Sequence, residues 1–61
     1  MQTFSATDFA IRSAAKRGSL TLTERASRFA GETYVAIADE HGIIEVQPTM
    51  GQAQARVREC A

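Results

Sequence analysis

Sixty-one residues, 44% of them hydrophobic and 23% charged, with seven basic side chains balanced by seven acidic ones, have the composition of a folded chain of zero net charge. A chain this short buries only about 60% of the surface its unfolded form exposes, so a disulfide framework, a metal or a partner chain is expected to support it. One cysteine, Cys60, and one histidine, His41, exclude a disulfide framework and a four-ligand zinc site. A homodimer is therefore expected, with no metal and no cofactor.

Asp8, Arg12, Lys16 and Arg17 interrupt the N-terminal region, and no run approaches the ~18 uncharged apolar residues of a membrane span. A cytoplasmic protein is the expectation, and a lone thiol fits a reducing compartment. Charge is unevenly placed: residues 1–31 carry five basic and two acidic side chains, net +3, and residues 32–61 carry two and five, net −3. A dipolar chain of this kind can steer charged partners.

A first helix is predicted over 6–17. Ser5 stands as N-cap with Asp8 three residues on, and Phe4 and Phe9 occupy the positions of a hydrophobic staple. Arg12, Lys16 and Arg17 suit the C-terminal end of the helix dipole, and Gly18 suits the stop. A second helix is predicted over 22–30, from Thr21 with Glu24 as a capping box, Leu22, Ala26 and Phe29 at spacings of four and three, and Gly31 after it. Two β-branched runs, Thr33–Ala38 and Ile43–Gln47, flank Asp39-Glu40-His41-Gly42, with Asp and Gly at the favoured ends of a turn. They predict a hairpin with Ile37 opposite Ile44 and Val35 near Val46. Pro48, then Thr49 with Gln52, begin a last helix over 50–60, whose Met50, Ala53, Val57 and Cys60 share one face.

The expected fold is α+β, a small single domain of order α-α-β-β-α, with one antiparallel hairpin (about 33–38 and 43–47) packed by the three helices. Its expected core is Phe4, Phe9, Ile11, Leu22, Phe29, Val35, Ile37, Ile44, Val46, Met50 and Val57. The second hairpin face then carries Tyr34, Ala36, Ala38, Ile43, Glu45 and Gln47. Tyr34 and Ile43, rimmed by Glu45 and Gln47, have the composition of a partner-binding surface with an aromatic anchor. The unpaired strand edges also invite strand addition.

Little in the chain points to catalysis. His41 belongs at a turn tip, Cys60 on the apolar stripe of the last helix, and the paired carboxylates Asp39 and Glu40 are neighbours in a turn. None of them has a sequence-evident partner for nucleophilic or acid–base chemistry, and no catalytic residue is assigned. Tyr34 through Ala61 resembles HicB-type antitoxin domains in having a hairpin, a proline and a C-terminal helix. It lacks their glycine-cysteine loop and their Thr-x-x-Glu-Ala helix start, and no family is assigned on it.

The functional expectation is a non-catalytic protein-binding module: a regulator or inhibitor acting on another protein through the exposed hairpin face, of the kind mobile genetic elements encode. The alternative is a small DNA-binding transcriptional regulator. In that reading the first two helices form a helix-turn-helix-like half, with Arg25 and Arg28 facing nucleic acid.

Overall fold

The computed structural model describes residues 6–27 and 31–60. The elements run α1 (Asp8–Lys16), β1 (Thr21–Ala26), β2 (Thr33–Asp39), β3 (Gly42–Gln47) and α2 (Met50–Cys60). The α+β class therefore holds, but the order is α-β-β-β-α, and the hairpin is two-thirds of a three-stranded antiparallel sheet of order β1-β2-β3.

The helix expected over 22–30 is replaced, over its described residues, by β1. About nine residues make a marginal helix in water. Extended, the same segment pairs with β2 in an unbroken register from Thr21 opposite Ala38 to Ala26 opposite Thr33. Thr21 and Thr23 are β-branched and flank Leu22, which turns inward. The capping-box pattern was local, and the ladder that displaces it pairs one side of the strand's backbone along all six residues. Arg28 and Phe29 lie outside the described residues.

The helix ends follow their chemistry. Thr7 rather than Ser5 caps α1, its Oγ1 accepting from the Ala10 amide at 3.2 Å; Ser5 and Phe4 lie outside the described residues. At α2, Thr49 Oγ1 accepts from the Gln52 amide at 3.2 Å and donates to Gln52 Oε1 at 3.1 Å, so the helix starts where the sequence places it. The Asp39–Gly42 turn also forms as read. Asp39 Oδ1 accepts from the His41 amide at 2.8 Å, and Gly42 takes φ 131°, a backbone conformation open to glycine.

α2 packs against all three strands and against α1. Val35, Ile37 and Ala53 form the buried centre, with Leu20, Leu22, Ile44 and Met50 packed around it. Of the other expected core residues, Ile11 is fully buried and Val46 and Val57 are half-buried. Phe9 is 74% exposed, because α1 turns Ile11 and Ala14 inward and leaves Phe9 on its outer side.

Arg17 ties the end of α1 to the β2–β3 turn, its Nε and Nη2 donating to the two Glu40 carboxylate oxygens at 3.1 and 2.6 Å. These bonds, with a further one from Ser19, lower the Glu40 pKa from 4.5 to about 2. A carboxylate depressed on folding contributes stability above its ordinary pKa and loses it as pH falls through the folded value. Urea midpoints measured from pH 6 to pH 2 should thus fall less steeply for Glu40→Gln than for the parent, the difference lying between about pH 4.5 and about 2. Parallel curves would show that the pair adds nothing, the common result for exposed ion pairs.

Candidate functional site

Residues directly opposite in an antiparallel ladder share a face, so the register sorts the sheet. On the helix side stand Leu22, Glu24, Val35, Ile37, Glu45 and Gln47. On the other side stand Thr21, Ala38 and Ile43 in one row, Thr23, Ala36 and Val46 in the next, and Arg25 with Tyr34 in the third. No described helix covers this second face.

A β-bulge divides the predicted binding residues between the two sides. Asp39 pairs with Gly42 and Ala38 with Ile43, as the turn requires, but Ile37 then pairs with Glu45 rather than Ile44, and Val35 with Gln47 rather than Val46. Ile44 is the extra residue, and beyond it every side chain of β3 changes face. Tyr34 and Ile43 do share the open face. Glu45 and Gln47, expected as its rim, lie on the helix side, and Val46, expected in the core, joins the open face.

The open face is half-buried at Tyr34, Ala38 and Val46 and exposed at Thr21, Thr23, Arg25 and Ile43. Ala36, at its centre, is only 2% accessible between Thr23 and Val46. Arg25 is the one charged side chain on this face of the three strands, directly across from Tyr34. An aromatic residue, two β-branched aliphatics and one cation over a floor of alanines can bind through apolar contact and a single charge-assisted bond.

Glu45 belongs to a different construction. It is 1% exposed, and Arg56 Nε donates to both of its carboxylate oxygens, at 3.1 and 3.0 Å. The Ala6 amide donates to Oε1 at 3.1 Å and Gln47 Nε2 to Oε2 at 2.6 Å. Arg56 continues outward, Nη2 donating to the Ala6 carbonyl at 2.9 Å and Nη1 to Asp8 Oδ1 at 2.6 Å. The carboxylates of Asp8 and Glu45 raise the Arg56 pKa, and Arg56 in turn lowers that of Asp8. These contacts join β3, α2 and the start of α1, and the Glu45 carboxylate at their centre is buried with both oxygens bonded: the cluster is architecture. Its sequence signal was slight, an acid within a β-branched run and an arginine on a helix.

His41 is at the turn tip, with its side chain 85% exposed and Nε2 3.7 Å from Glu40 Oε1. Cys60 is buried, its thiol pKa pushed up by that burial, with Arg56 Nη1 3.4 Å from Sγ. Among the described residues no three His, Cys, Asp or Glu side chains converge to hold a metal ion. Among them, too, no helix is long and apolar enough to cross a membrane. Arg25, offered above for nucleic acid, lies on β1 instead of a helix, so the helix-turn-helix loses its second helix over the described residues.

No protein-family model, curated protein or solved structure matches this chain.

Proposed function

We propose that the chain is a non-catalytic protein-binding module that engages another protein through the open face of its sheet, with Tyr34 and Ile43 as anchors. One observation carries the reading: both helices lie on one side of the sheet, and the other side presents these two residues together with Val46 and Arg25. Tyrosine and arginine are the residue types that dominate binding energy at protein interfaces. A chain of this size with such a face suits a regulator or inhibitor that acts by occupying a surface of a larger protein.

The test is affinity capture from lysate of the source cell, with and without nuclease, comparing the parent with Tyr34→Ala and Ile43→Asp. The parent should retain a stoichiometric protein after nuclease. Each variant should lose it while keeping the parent's circular dichroism spectrum. If only nucleic acid is retained, and nothing remains after nuclease, the reading fails in favour of nucleic-acid binding. Loss of fold in both variants would instead make the face part of the core.

A further inference from the structure

The two edges of the sheet differ in how they are protected. β3 carries a bulge at Ile44 and is followed at once by Pro48, both devices that blunt an edge against strand addition. β1 has neither. Its six residues run without a bulge or a proline, are exposed at every position but Leu22, and carry two charges, Glu24 on the helix side and Arg25 on the open face. We propose that β1 is the interface of a two-fold homodimer, in which Thr23 of one copy lies opposite Thr23 of the second.

Symmetry and charge fix the register. A two-fold axis that pairs identical strands antiparallel in one continuous sheet stands normal to that sheet and keeps the helices of both copies on one side. Opposed residues then share a face, so the axis passes through a residue position and not between two. The centre of Thr21–Ala26 falls between Thr23 and Glu24, and these two positions give the longest overlap. An axis at Glu24 sets two carboxylates directly opposite, a destabilising pair. An axis at Thr23 sets two threonines opposite, a favourable pair, with Thr21 across from Arg25 and Leu22 across from Glu24.

The product is a six-stranded sheet whose outer strands are the two blunted β3 edges, so association stops at two copies. Pairing through so short an edge buries less than the ~1,200 Å² of a stable interface, which makes the dimer concentration-dependent. The open faces of the copies become continuous and stay free for the partner proposed above. The dimer rests on β1 and not on that reading.

Sedimentation velocity of the full chain over a wide concentration range should show a boundary moving from the mass of one chain to that of two. Thr23→Lys, which sets two ammonium groups on the axis, should remain at one chain mass throughout with an unchanged circular dichroism spectrum. Under mild oxidation Thr23→Cys should cross-link to a disulfide dimer, whereas Ile43→Cys, on the open face, should not. Ile43→Asp should dimerise like the parent even where it has lost the captured protein. Three results would each overturn the proposal: a parent that stays monomeric at the highest concentration, a Thr23→Lys variant that still dimerises, or an Ile43→Cys variant that cross-links in preference to Thr23→Cys.

Discussion

Replacing Arg56 with methionine is expected to unfold much of the protein at room temperature. The substitution leaves the Glu45 carboxylate, 1% exposed, without its counter-ion, and removes the donor to the Ala6 carbonyl. Breaking a buried pair from one side costs about 3–5 kcal/mol. A 61-residue chain has about 3–9 kcal/mol of stability in all. Glu45→Met should cost less, because Arg56 keeps the Asp8 carboxylate at 2.6 Å and the Ala6 carbonyl at 2.9 Å as partners. The double variant Glu45→Met/Arg56→Met should recover part of the Arg56→Met loss, since apolar side chains of similar volume often replace a buried ion pair at little cost, while the Ala6 amide and carbonyl still lose their partners. Urea unfolding of the four proteins forms the cycle that measures this coupling. Additive losses would show that the two residues act separately.

The second large effect separates neighbouring isoleucines on opposite faces. Ile37 is fully buried on the central strand against Ala53, with Leu22 and Glu45 on either side. Ile37→Ala should cost about 2–5 kcal/mol, the sum of lost burial and the cavity left behind. Ile43 is 37% exposed on the open face, and Ile43→Ala should cost about 1 kcal/mol or less. Denaturation midpoints decide the matter directly. An Ile43→Ala variant as unstable as Ile37→Ala would mean that the open face is covered, which would remove the proposed binding surface along with the face assignment.

Local chemistry was legible in the sequence wherever it was decided locally. The Thr49–Gln52 cap, the Asp39–Gly42 turn, the limits of the last helix and the inward position of Cys60 all depend on residues within a turn of one another. The segment Thr21–Ala26 was not decided locally. Its capping-box pattern and its apolar spacing both fit a helix, while Thr21 and Thr23 around Leu22 fit a strand, and the unpaired edge of β2 chose between them. The bulge was hidden for a related reason. Ile43 and Ile44 are chemically identical, so no pattern says which of them faces the helices, and that choice moved Glu45, Gln47 and Val46 to faces other than those expected. Glu45 had a buried role only because Arg56 and Ala6, distant in sequence, meet it. Of the binding candidates, Tyr34 and Ile43 share the open face because Ile43 pairs with Ala38 on the turn side of the bulge and Tyr34 lies an even four residues from Ala38 on the same unbulged strand. Thr21, Thr23 and Arg25 joined them through the strand that had been read as a helix.

The Arg56 cluster also sets an order of events. Its bonds span 39 residues from Ala6 to Glu45, 48 from Asp8 to Arg56 and 50 from Ala6 to Arg56. The β1-β2-β3 meander closes through short loops, whereas α2 packs on all three strands and on α1. Until α2 docks, therefore, Ile37 has no helix over it and Glu45 no counter-charge. Contacts this remote in sequence slow folding as well as delaying it. The buried charge pair is thus completed only when α2, the most C-terminal of the five elements, docks on the sheet.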